Sequence, residues 1–189
     1  MTTANKLTLF RIVLIPLMIV LIYIEPLSNE SGFLKMPWHQ LIFAILFVIA
    51  ACTDFLDGYI ARKYQQITTF GKFLDPIADK ILVLTAALYL MVLMPTRIMF
   101  WAVLIIIIRE FVVTGIRLLA VEKGFVIAAS PFGKIKTFLT MIALIVLLFN
   151  DFGLPVWIGD VLFYSAVLMT LISGIDYAIK NRKIILESI

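Results

Sequence analysis

Six apolar runs, each long enough or nearly so to cross a lipid bilayer, dominate this sequence. They lie at roughly 8–25, 38–61, 73–95, 98–121, 134–150 and 156–179. A helix rising 1.5 Å per residue needs about 20 residues to span the hydrocarbon core. Only Met36–Thr53 gives 18 residues without a charge. The other runs are interrupted by charged side chains. Apolar residues make up 63% of the 189 positions and charged ones 15%, against about 45–50% and about 25% in soluble domains. A soluble fold of this size could not hide that much hydrocarbon, and a disordered chain needs the opposite composition. The expectation is an all-α polytopic membrane protein, one domain over residues 1–189, with six transmembrane helices.

The cations set the expected orientation. Fourteen of the 16 Lys and Arg fall on one side of these spans or in the half-spans nearest it, leaving Lys35 and Arg97 on the other. The positive-inside rule then places both termini in the cytoplasm. The net charge of +4 is therefore a topology signal first and weak evidence for nucleic acid. Trp38, Trp101 and Trp157 sit near the expected outer ends, where interfacial anchoring accounts for them. Lys6 and Arg11 precede an apolar stretch, but Ile24-Glu25-Pro26-Leu27 offers no small-residue cleavage site, so the first run reads as a retained helix. Pro16 lies inside it and is expected to kink it. One Cys excludes an intramolecular disulfide, and one His argues against a His-built metal site.

An ionisable residue inside a span costs about 2.5–3.5 kcal/mol on insertion scales. Asp54 and Asp57 lie near the end of the second run, three residues apart, which puts both on one helix face. Asp75 and Asp79, four apart near the start of the third run, also share a face. A short connection joins the two runs, so the four carboxylates can converge. Bare, they would repel one another. Oxygen-only ligands suit Mg²⁺ or Mn²⁺, and two such ions suit phosphate chemistry. The alternative is a set of structural ion pairs with Arg62, Lys72 and Lys80. Gly58, Ala61 and Gly71 would allow close approach of a ligand or of a neighbouring helix.

Together these residues read Asp54-x2-Asp57-Gly58-x2-Ala61-Arg62-x8-Gly71-x3-Asp75-x3-Asp79. The pattern resembles the signature of the CDP-alcohol phosphotransferase family, without a departure. The resemblance implies transfer of a phospho-alcohol group from a CDP-linked donor to an alcohol, with release of CMP. It implies two divalent ions held by Asp54, Asp57, Asp75 and Asp79, with Asp79 as general base on the acceptor hydroxyl. Gly58, Ala61, Arg62 and Gly71 would belong to the CDP site. Near the start, Asn5-x2-Thr8-x2-Arg11 is similar to the family's amino-terminal pattern, which borders the nucleotide, and its helical spacing puts the three on one face.

The acceptor has to be read from the other half. Arg109 lies about 18 Å from the cytoplasmic end of the fourth run at helical rise, and Arg117 follows eight residues later. Lys134 and Lys136 open the fifth run. A guanidinium matches phosphate well, so these cations suggest an acceptor that carries one. Alternatively, Arg109 pairs with Glu110 or an Asp, and the others are ordinary inside-positive residues. The segments Arg109-Glu110-x6-Arg117 and Ala129–Thr137 resemble the bacterial branch of the family that uses CDP-diacylglycerol and glycerol 3-phosphate. Arg109, Arg117 and Lys134 would then hold the acceptor phosphate. The resemblance further implies a homodimer in a bacterial cell membrane, with its active site facing the cytoplasm. Other acceptors (phosphatidylglycerol, inositol phosphate or serine) and a small transporter are the competing readings.

Overall fold

A computed structural model describes the backbone of residues 3–63, 69–124, 127, 130–182 and 186, and the side chains of these from residue 6 onward except 54–73. Six α-helices make up most of it: α1 (Thr3–Ile22), α2 (Trp38–Lys63), α3 (Thr69–Leu93), α4 (Phe100–Glu122), α5 (Pro131–Leu148) and α6 (Trp157–Lys180). Each matches one apolar run, with ends that differ by a few residues. The largest differences are at α1 and α3, which start before the apolar stretch, since helical hydrogen bonding continues into polar residues that hydropathy leaves out. Pro16 lies inside α1, which stays helical through it.

Among the described residues, three stretches are long and apolar enough to cross a membrane: Leu74–Leu93, Pro131–Leu148 and Trp157–Lys180. The helix α4 is comparable in length but is interrupted by Arg109, Glu110 and Arg117. Large apolar side chains such as Val13, Phe111, Leu118, Phe138 and Leu168 point outward. Outward-facing hydrocarbon on this scale fits a lipid surround, where only structures that satisfy their own backbone polar groups persist.

Contacts divide the chain into two compact units, Met1–Tyr89 with Ile145–Leu154, and Leu90–Leu144 with Pro155–Ile189. In the first, Met18, Phe43, Phe47 and Leu82 are fully buried, and Ala44, Ala78 and Ala86 let helices approach closely. Thr8 meets Asp75, which brings the start of α1 to the start of α3. His39 at the start of α2 meets Tyr89 near the end of α3 (Nδ1 to hydroxyl, 2.7 Å), and few residues separate the end of α2 from the start of α3, so these two helices run antiparallel. Gln40 Nε2 donates to the Leu148 carbonyl at 3.0 Å, satisfying an orphan acceptor at the end of α5.

The connection 32–35 and the turn 150–153 both use left-handed backbone. Leu34, Lys35, Asn150, Asp151 and Phe152 have φ between 52° and 57°. Such geometry costs roughly 1–2 kcal/mol per non-glycine residue. Hydrogen bonds hold it: Asn150 Nδ2 donates to the Leu34 carbonyl at 3.0 Å, and Ser31 N to the Met36 carbonyl at 2.7 Å.

In the second unit, Ala102, Ile106, Leu144 and Phe163 are buried. Arg97 Nε bonds Asp160 Oδ1 at 2.8 Å near the starts of α4 and α6, while Arg117 meets Tyr177 near their ends, so these two helices run parallel. Gly124, at φ +78°, ends α4 where a left-handed residue is needed. Ser130 caps α5, its Oγ accepting from Gly133 N at 3.1 Å, and Pro131 occupies the first turn, where its missing N–H is harmless.

Candidate active site

Within the first unit, the amino-terminal pattern and the third-helix acids meet. The Thr8 hydroxyl, buried in α1, donates to Asp75 Oδ1 at 2.5 Å. A hydrogen bond to a carboxylate is short and strong, and it fixes the carboxylate's rotamer. Arg11, one helical turn on, is fully buried on the same helix. Asp75 and Asp79 are half-buried on successive turns of α3. The side chains of Asn5, Asp54, Asp57, Gly58, Ala61, Arg62 and Gly71 lie outside the described residues.

Among the described residues no three of His, Cys, Asp and Glu cluster as a metal site would require. The donor chemistry of the two described acids nevertheless fits a hard divalent cation, since both offer only carboxylate oxygens and each is half-buried. The Thr8 bond engages one oxygen of Asp75 and fixes the direction of the other.

The second unit builds a different site around Arg109. Its Nη1 donates to Glu110 Oε1 at 3.0 Å and its Nη2 to Ser173 Oγ at 3.1 Å. Glu110 also accepts from Lys136 Nζ of α5. The Arg109 stem lies against α6 at Gly174, where an added Cβ would come within 3.0 Å of Arg109 Cγ. Gly133 of α5 lies on another side, with its notional Cβ 3.7 Å from Arg109 Nη2. Three helices thus cradle one guanidinium.

Arg109 and Lys136 each carry +1 and Glu110 carries −1, so the cluster keeps a net positive charge. Arg109 Nε is buried with no hydrogen-bond partner among the described residues. The Arg109–Glu110 pair is the one named by the alternative reading of Arg109, and Lys136 joins it.

The other two expected phosphate-holding cations are placed differently. Arg117 is exposed, with Nε 3.3 Å from the Tyr177 hydroxyl and its guanidinium carbon 5.7 Å from the ring centre. Lys134 is exposed on the first turns of α5, whereas Lys136 is buried. Glu110, Ser173 and Gly174 were not among the expected site residues. Glu110 had a signal, an acid beside an Arg in an apolar run. Ser173 and Gly174 had none beyond their small size.

The CDP-alcohol phosphatidyltransferase family profile matches residues 1–172. Three relatives align over nearly their whole length, and each bears the name CDP-diacylglycerol–glycerol-3-phosphate 3-phosphatidyltransferase. The protein of Bacillus subtilis (strain 168) is 44% identical over 94% of this chain and 93% of its own. That of Rickettsia typhi is 39% identical over 92% and 93%. That of Salmonella choleraesuis is 37% identical over 96% and 95%.

Proposed function

The chain belongs to the CDP-alcohol phosphatidyltransferase family, and from that membership we propose that it transfers a phosphatidyl group from CDP-diacylglycerol to sn-glycerol 3-phosphate. The products are phosphatidylglycerol phosphate and CMP. The observation that carries this reading is the near-full-length likeness, at 37% to 44% identity, to enzymes named for that reaction. The net positive Arg109 cluster supports the same acceptor, since an acceptor with a phosphate gains from it and a cationic alcohol does not.

Each residue then has a task. Asn5, Thr8, Arg11, Gly58, Ala61, Arg62 and Gly71 line the cytidine and pyrophosphate site. Asp54, Asp57, Asp75 and Asp79 would hold two divalent ions, Mg²⁺ or Mn²⁺. Such ions would supply positive charge to offset the pyrophosphate and the leaving group. Thr8 keeps the Asp75 carboxylate oriented. Asp79 takes the proton of the acceptor hydroxyl. That oxygen bonds to the phosphorus bearing diacylglycerol as the bond from this phosphorus to the CMP oxygen breaks. Arg109, Arg117 and Lys134 hold the acceptor phosphate.

The same reading makes residues 1–189 one domain of six spans. Both termini and the active site face the cytoplasm of a bacterial cell, and the chain works as a homodimer.

The test is CMP release by the purified, detergent-solubilised protein given CDP-diacylglycerol, Mg²⁺ and a panel of acceptors. Turnover is expected with glycerol 3-phosphate. EDTA should abolish it, and Asp79→Asn should lower it by about 10²–10⁴-fold with the protein still folded. Turnover only with phosphatidylglycerol, inositol phosphate or serine would overturn the acceptor. No turnover from folded protein would point to a transporter instead.

A further inference from the structure

Neighbouring helix residues do not face each other, yet Arg109 bends round to Glu110. The bend is held from three directions. Ser173 takes Nη2, the missing Cβ of Gly174 makes room for the stem, and Lys136 of α5 pins the Glu110 carboxylate. A free Arg side chain samples many rotamers, and a ligand that must order it binds more weakly. Here Glu110, Ser173 and the space at Gly174 fix one Arg109 rotamer.

We propose that Glu110 is a positioning residue, whose carboxylate, shared between Arg109 and Lys136, holds the Arg109 guanidinium against α6 in the orientation that receives the acceptor's phosphate. The proposal rests on the acceptor reading given above and adds residues to it: Glu110 and Lys136 as the brace, Gly174 as the space the Arg stem needs. Lys136 is thereby assigned to Glu110 and not to the substrate.

Charge and positioning predict opposite signs. Glu110→Gln removes a negative charge beside two cations. By Coulomb's law alone it should strengthen phosphate binding and lower the KM for glycerol 3-phosphate. If Glu110 positions Arg109, the guanidinium loses its charged acceptor and the KM rises.

The experiment measures KM and kcat for both substrates by CMP release from the full-length purified protein. In Glu110→Gln the KM for glycerol 3-phosphate should rise about tenfold or more, with the KM for CDP-diacylglycerol held within about twofold. Glu110→Asp, which keeps the charge, should recover part of the loss. Gly174→Ala should raise the same KM by displacing the Arg109 stem.

Glu110→Gln leaves a buried ammonium unpaired and can fail to fold. The double variant Glu110→Gln with Lys136→Met removes that problem and should keep the raised KM. A KM at or below the wild-type value in the double variant would overturn the positioning role and assign Glu110 to neutralising Lys136. Wild-type protein without glycerol 3-phosphate-dependent CMP release would overturn the acceptor reading, and this proposal with it.

Discussion

Exchanging one hydroxyl for one methyl group isolates the link between α1 and α3. Thr8→Val keeps the side-chain volume and removes the donor to Asp75. Hydrogen bonds to charged groups contribute about 1.5–3 kcal/mol, and the lost bond also frees the Asp75 rotamer. The expected result is a kcat/KM for CDP-diacylglycerol lowered about tenfold or more, with the KM for glycerol 3-phosphate unchanged, both read from CMP release. Equal loss for both substrates would mean general disruption instead. The Thr8 contact was legible in part. Asn5-x2-Thr8-x2-Arg11 has helical spacing, which marks a face, and polar residues on an otherwise apolar helix need partners. Which acid would meet Thr8 was not legible, because Asp75 lies 67 positions along the chain and nothing local encodes the meeting. Arg109 stood out as a charge deep in an apolar run. Its three supports come from residues up to 65 positions away, and Gly174 contributes only by lacking a side chain.

Helices were the most legible elements, since each apolar run became one. The connections were the least legible. Gly32 and Gly153 hint at left-handed backbone, but nothing in Leu34, Lys35 or Phe152 does. Those residues adopt it because hydrogen bonds across the connections compensate. The Arg97 cluster shows the same non-local logic. Its Nε bonds Asp160 at 2.8 Å, its Nη2 bonds the Val156 carbonyl at 2.9 Å, and its own carbonyl accepts from the Tyr164 hydroxyl at 2.8 Å. By sequence Arg97 was only one of two cations on the minority side. By structure it ties the start of α6 to the segment that leads into α4. Arg97→Met should leave Asp160 unpaired and the Val156 carbonyl without its donor. Asp160 is one-third exposed, so the expected loss is modest, about 1–2 kcal/mol. It should show as a lower unfolding temperature in detergent, with CMP release at low temperature unchanged. A fall in activity without a fall in stability would give Arg97 a part in the reaction and not in the fold alone.

At the scale of the whole molecule, the cation bias and the helix directions make one argument about orientation. Strict alternation of six spans would make α1 and α3 parallel and α4 and α6 parallel, and the second pair is parallel. The positive-inside rule adds the sign. It puts Glu25, just after α1, outside the cell and Glu122, at the end of α4, inside. Both side chains are exposed, and Cys52 is the single cysteine. A Cys52→Ser background therefore permits one reporter thiol at a time, Glu25→Cys or Glu122→Cys. Neither removes a Lys or Arg, so neither disturbs the bias that sets orientation. In intact spheroplasts a membrane-impermeant maleimide should label position 25 and spare position 122, which should react only after permeabilisation. Labelling of both in intact cells would break the alternation. The reverse pattern would turn the Asp75 and Asp79 ends of the helices outward, away from a cytosolic acceptor, and the proposed reaction would lose its supply of glycerol 3-phosphate.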